Sequence, residues 1–398
     1  MARILFVTSE YEPFQASGVN RIKFFKKSLE QRGHIVIVLT TCTSAQGLKR
    51  DRYKDHRDNI YRAVSLSLLG RRLLSSRRLP IYPTISRTGK YSVWIPFAIL
   101  KGQSLVNKFN IDTIITSFPD FASLNVAEKV ATKAQCRLIT DFRDPPFWIY
   151  DQISKVDRKI KKCQEIVHYA LKRSSDVITC TEYSAAALSD YYNLNYNNVV
   201  IANGYDQDII DKIPSKVTLH KNYFELIHIG SFYDEGRDIR PVVKALEQFI
   251  KSTEAPLKLK LRLIGDKPDR DTLNYLERFA RSFEVIVEPP VPITEALTIA
   301  KSSDALLLLQ GSRFDRQIPT KVYEYLALNR PIWSVVGAKG ETRKLLENYP
   351  DNVVYSNYDC ELDILNGVGD LLKIQAKTVN CDNLSRQAQI EQLTRLHL

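Results

Sequence analysis

The sequence predicts an α/β protein of two domains, each a parallel sheet with helices on both faces. Three observations predict it. The chain has 398 residues, more than one ordinary core accommodates. Short β-branched runs alternate with amphipathic helical patterns, as in strands joined by helical crossovers. The alternation then begins afresh after a polar stretch from Asn203 to Asn222.

In the first half, "RILFVTS" (Arg3 to Ser9) reads as a buried strand. "GVNRIKFFKKSLEQRG" reads as a helix closed by Gly33, and "HIVIVLTT" as a second strand. "DTIITS", "CRLITDF", "SDVITC" and "NNVVIA" continue the series. In the second half the strands are "FELIHIGSF" (Phe224 to Phe232), "LKLRLIG", "FEVIVEP", "DALLLLQ" and "PIWSVVG", each separated by a helical pattern. The tail "NLSRQAQIEQLTRLHL" (Asn383 to Leu398) reads as a last amphipathic helix. The expected division is residues 1–205 and 206–380, both Rossmann-like and facing a cleft. A helix over 381–398 is expected to pack back toward the first domain.

Apolar content is ordinary for a globular chain and Pro plus Gly is low, which excludes wholesale disorder. Six cysteines are scattered without a CxxC pair, which argues for a reducing compartment and against a zinc knuckle. The first apolar run is too short for a signal peptide, and no stretch approaches the ~20 residues of a membrane span. A cytoplasmic protein is expected. The net charge of +12 is uneven: twelve basic residues and three acids lie between Lys49 and Lys90. Such a patch suits a polyanion, whether anionic lipid, nucleic acid or a phosphorylated substrate. Within it, "LSLLGRRLLSSRRL" (Leu66 to Leu79) could set leucines into an anionic bilayer surface, or could pack on the first sheet with its arginines solvated.

Ligands of doubly wound sheets sit beyond the C-terminal strand ends. There "IPTKVYEYLALNRPI" (Ile318 to Ile332) opens a helix with Pro319, Thr320 and Lys321, a cation where the helix dipole is already positive. A phosphate would explain it, and Glu324, on the same face, could accept from a ribose diol. The plainer alternative is an exposed ion pair. "IHIGSFYDEGRDIRP" ends a strand at Gly230 and Ser231, with Arg237 and Arg240 as candidate diphosphate clamps or merely solvated charges. On the first domain, Gly18 allows close approach of a substrate or is a turn glycine. "TDFRDPPFW" offers Arg143 and Asp144 for an acceptor hydroxyl, or an Asp–Arg brace with Asp141. No HxxxH, GxSxG, Walker A or GxGxxG pattern occurs, so a metal centre and a dehydrogenase are disfavoured.

These blocks resemble glycosyltransferases of the GT-B fold, specifically the family 4 group with a "PxKxxEYLA" helix. The resemblance spans nearly the whole chain through "SGVNRIKFFKKSLEQRGHIVIVLT", "TDFRDPPFW", "VIANGYD" (Val200 to Asp206), "IGSFYDEGRDIRPVVKAL" and "IPTKVYEYLALNRPI". It implies a nucleotide-sugar donor on the second domain, with Glu324 on the ribose and basic residues on the diphosphate. It also implies an acceptor on the first domain, no cofactor and no obligatory metal. One position departs: many such enzymes carry a second glutamate where this chain has Arg316, with Asp315 adjacent.

The resulting expectation is a retaining glycosyltransferase acting on a glycan or lipid-linked glycan. Asp144, Arg237 and Lys321 are the candidate catalytic residues. The donor residues are Gly230, Ser231, Arg237, Arg240, Pro319, Thr320, Lys321 and Glu324, and the acceptor residues Gly18, Arg143 and Asp144. An anionic membrane surface is a candidate partner and nucleic acid is not. A GT-B epimerase would use the same pocket without an acceptor. A basic nucleic-acid binder is the other rival, although the patch lacks well-interleaved stacking aromatics.

Overall fold

A computed structural model describes residues 1–13, 17–42, 58–65, 91–147, 157–214, 222–232, 236–253, 258–396 and 398. Most of the Lys49–Lys90 patch, including the whole Leu66–Leu79 stretch, lies outside the described residues. Of its basic residues, Arg62 is described, and it donates to the backbone carbonyls of Thr41 and Glu12.

The chain forms two units, each with its own sheet. The first comprises Met1–Ala202 together with Ile390–Leu398. Its strands are β1 (Arg3–Val7), β2 (Ile35–Thr41), β3 (Ile60–Ala63), β4 (Thr113–Phe118), β5 (Arg137–Phe142), β6 (Asp176–Thr179) and β7 (Asn197–Val200). They lie in the order β3-β2-β1-β4-β5-β6-β7, every pair parallel. Helices α1 (Ser17–Gln31), α2 (Ile95–Phe109), α3 (Phe121–Ala134), α4 (Asp157–Arg173) and α5 (Glu182–Tyr192) supply crossovers. Helix α1 shows why: Val19, Ile22, Phe25 and Leu29 recur at helical spacing, and all four are buried in one cluster with Ile4, Phe6 and Val36. Gly33, at φ +85°, then turns the chain into β2.

The second unit, Asn203–Gln389, carries β8 (Phe224–Ile229), β9 (Leu259–Ile264), β10 (Glu284–Glu288), β11 (Ala305–Gln310), β12 (Ile332–Val336) and β13 (Val353–Asn357). Their order is β10-β9-β8-β11-β12-β13, again all parallel. The flanking helices are α6 (Arg240–Ser252), α7 (Arg270–Phe279), α8 (Ile293–Ser302), α9 (Thr320–Ala327) and α10 (Glu361–Leu371). The continuous apolar run of β11, buried at every residue, is what a strand covered on both faces requires.

Two parallel-sheet α/β domains were expected and are present. Two edge strands, β3 and β13, had not been read from the sequence. "IYRA" is short and sits beside a dense run of charge, and "VVYSN" is too brief to show a period. The tail expected as a single helix is divided into a 3-10 turn Asp382–Leu384, a helix Arg386–Ile390 and a 3-10 segment Glu391–Leu396. The division has a cause: Arg386 donates its backbone N–H to Tyr205 while Tyr205 donates to Leu384, so this backbone bridges to another segment. Beyond it, Ile390, Leu393 and Leu396 are buried with Ile201 and Val199 in the first unit's core.

Candidate functional site

In the second unit the site grows from two glycine turns and one helix start. Strand β8 ends in Gly230 at φ +138° and β9 in Gly265 at φ +152°. A side chain at Gly265 would collide with the Gly230 backbone, and one at Gly230 would lie 2.6 Å from Lys321 Nζ. The missing side chains therefore let two strand ends and a lysine share one small space. Helix α9 is fastened to the same place. Its Tyr325 hydroxyl, buried, accepts from the Ile229 N–H at 3.1 Å. The loop before α9 is closed by Gln310, whose amide donates to the carbonyls of Phe314 (2.6 Å) and Gln317 (2.9 Å).

The start of α9 carries the charge. Pro319 occupies the N-cap and, among the described residues, no side chain caps the first turn, where helix N–H groups lack intrahelical acceptors. Lys321 Nζ is buried and has no hydrogen-bond partner among the described residues. Burial, and then the nearby Arg237 guanidinium, pull its pKa down to about 7, with Glu324 opposing. Arg237 itself lies over the Phe314 ring at 5.3 Å. Glu324, half-buried one turn along, has its pKa raised by burial, while Arg386 and Lys321 pull it back. Arg386 in turn pairs with Asp206 at 3.4 Å and donates to the Asn203 carbonyl at 3.3 Å. Gly204, at φ +59°, lets that loop lie against Leu384 and Arg386.

The expected donor residues thus separate into two groups. Gly230, Arg237, Pro319, Thr320, Lys321 and Glu324 come together. Ser231 instead donates to Asp266, and Arg240 is held by Asp238, its Nε 2.8 Å from Oδ1. Arg240 thus pairs with Asp238 at the start of α6. Asp315 is turned against Gly337 and Gly340, and Arg316 is exposed. Residues 233–235 of the glycine loop lie outside the described residues. No cluster of three metal-ligating side chains occurs among the described residues.

In the first unit, Gly18 lies against Arg143: a Cβ there would be 2.5 Å from Nη1. Arg143 also donates Nε to the Phe118 carbonyl at 3.1 Å and lies 3.9 Å from Asp144. Burial raises the pKa of Asp144, opposed by Arg143 and Arg21. Asp141 is different. It is wholly buried, receives both Nε and Nη2 of Arg21 at 2.9 and 2.8 Å, and accepts from Ser117 at 2.8 Å. Arg21 also donates to the Ile201 carbonyl at 3.0 Å and stacks on Phe25 at 4.7 Å. The brace considered for this loop therefore runs from Asp141 to Arg21, which leaves Asp144 and Arg143 at the strand end.

Reading the sequence did not single out Arg386, Asp206 and Arg21, which make the contacts described above. For Asp206 a signal existed in "VIANGYD". For the others the partner is remote in sequence, and nothing local marks them.

No protein-family model and no curated protein sequence matches the chain. Solved structures do. Sucrose-phosphate synthase from Thermosynechococcus elongatus superposes with a TM-score of 0.68 at 13% identity, covering 100% of this chain and 98% of that one. HepE from Anabaena in complex with UDP gives 0.65 at 13% identity, over 99% of both chains. The UDP-GlcNAc 2-epimerase from Methanocaldococcus jannaschii gives 0.54 at 12% identity, over 100% and 98%. With the two parallel sheets described above, these similarities show that the chain has the GT-B fold.

Proposed function

We propose that the protein is a glycosyltransferase that moves a sugar from a nucleotide-diphosphate sugar to a glycan or lipid-linked glycan in polysaccharide synthesis. One observation carries the reading: a buried, unpartnered Lys321 ammonium beside Arg237 at an uncapped helix start. A buried ammonium without a hydrogen-bond partner costs free energy, and a diphosphate at Lys321 would offset that cost. The diphosphate is also the leaving group, so the same charges would stabilise it as the glycosidic bond breaks. They supply the positive charge without a metal. Glu324 would accept from the ribose hydroxyls. HepE's complexes with UDP and with UDP-glucose make UDP the first nucleotide to try.

Asp144 is assigned to the acceptor. Its raised pKa suits a carboxylate that takes a proton from a hydroxyl. Retention at the anomeric carbon belongs to this proposal as the outcome the family 4 resemblance implies. Peripheral attachment to the cytoplasmic face of a membrane rests on the Lys49–Lys90 charge alone. Sedimentation with anionic liposomes at low salt tests it, and a protein that stays in the supernatant ends it.

The test of the main reading is thermal stabilisation by UDP-, GDP- and dTDP-sugars, followed by turnover with and without glycan acceptors. Stabilisation by one set and acceptor-dependent release of the nucleoside diphosphate are expected. Conversion of the sugar nucleotide without an acceptor would assign the epimerase activity named for the Methanocaldococcus neighbour.

A further inference from the structure

Lys321 Nζ has a counterpart at the end of β8. His228 is fully buried and its Nε2 also has no hydrogen-bond partner among the described residues. Chemistry fixes the tautomer. Nδ1 lies 3.0 Å from the Leu307 carbonyl oxygen, which can only accept, so Nδ1 carries the proton. Nε2 of the neutral ring is then a lone pair without a donor, and Lys321 is a donor without an acceptor. Both face the place where Gly230 lacks a side chain: a Cβ there would lie 2.6 Å from Nζ and 3.6 Å from Nε2. Phe232, with its ring centroid 4.9 Å away, packs against the imidazole. Of the charges acting on this imidazole, Lys321 and Arg237 are the cations. Lys321 also acts electrostatically on Glu324.

We propose that His228 is a positioning residue for Lys321: once a diphosphate enters, Nε2 accepts one ammonium N–H and directs the other two at the phosphate oxygens. The inference rests on the donor reading above and adds a residue to it. A glycine at 230 is what lets the two nitrogens approach. A phosphate oxygen cannot satisfy Nε2 itself, since both only accept, so histidine acts through the lysine and not on the ligand.

The test is a double-mutant cycle by calorimetry on the full chain, with UDP and uridine as probes. His228→Asn keeps an amide N–H for Leu307 and removes the acceptor at Nε2. His228→Gln puts an amide oxygen near that acceptor. His228→Asn should weaken UDP by about tenfold or more and leave uridine unchanged, His228→Gln should restore most of the loss, and His228→Asn should add nothing in a Lys321→Met background. A merely structural role would weaken both probes and add to the Lys321→Met loss, which overturns the inference, as does a His228→Asn chain that binds UDP like the parent. If the asparagine chain does not fold, the glutamine chain decides. Near-parental UDP affinity supports the inference, and a tenfold loss ends it. A parent that binds no nucleoside diphosphate ends the donor reading and this inference together.

Discussion

Lys321 carries opposing costs at the scale of a single residue. Its ordinary pKa of 10.5 is pulled down to about 7 in the folded chain. The unfolded state therefore binds more protons between about pH 7 and 10.5, and ligand-free stability contributed by this group rises with pH across that window. Below about pH 7 the ammonium is present in both states and the full cost of burying it is felt. Lys321→Met should accordingly raise the ligand-free melting temperature, and more at pH 6 than at pH 9. Diphosphate binding should show the reverse sign. It needs the ammonium, so affinity should fall as pH rises through 7, with protons taken up on binding, which calorimetry in buffers of different ionisation enthalpy reads. Glu324→Gln should weaken a ribonucleotide by ~1.5–3 kcal/mol, as expected for hydrogen bonds to a charged group. The same substitution should leave the melting temperature of the ligand-free chain nearly unchanged.

At the scale of elements, a buried ion pair fastens α1 to β5. Arg21→Met or Asp141→Asn leaves an uncompensated charge or an orphaned polar group in the first unit, and chemical denaturation should show a loss of ~3–5 kcal/mol. Asp144→Asn, on the same loop but without that pairing, should lower transfer while the denaturation midpoint holds. Unchanged turnover would return Asp144 to a bracing role. These elements also show what a sequence discloses. Strands such as β1 and β11 announce themselves, because burial on both faces writes a continuous apolar run. Lys321 and Glu324 stood out because helical spacing puts them on one face at a strand's C-terminal end, and the structure sets Lys321 beside Gly230. Arg21 was not, because its partner lies far along the chain and its neighbours read as an ordinary amphipathic helix. His228 was hidden for another reason. Inside "FELIHI" it reads as one more buried strand residue, and only the approach of Lys321 gives it a task. Arg240 looked like Arg237 in sequence, and the structure pairs Arg240 with Asp238.

At the scale of the whole molecule, the chain's last residues serve its first unit. Ile390, Leu393 and Leu396 are buried beside Ile201, and each such side chain contributes roughly 1.5–3 kcal/mol. Removing residues 390–398 should destabilise the Met1–Ala202 unit, read as faster amide exchange in β7 and α1, with the second unit's sheet protected as before. That each unit is a parallel sheet followed from the alternation of strand and helix patterns. The break in the tail did not, because it arises from a backbone bridge between Tyr205 and Ser385 that no local pattern encodes. Everything proposed for the second unit depends on a nucleoside diphosphate binding through Lys321. Calorimetry of the parent and of Lys321→Ala with UDP, GDP and dTDP tests it most directly. At least one should bind the parent, and Lys321→Ala should weaken it by ~1.5–3 kcal/mol. Equal affinity in both chains, or no binding to the parent, would contradict it.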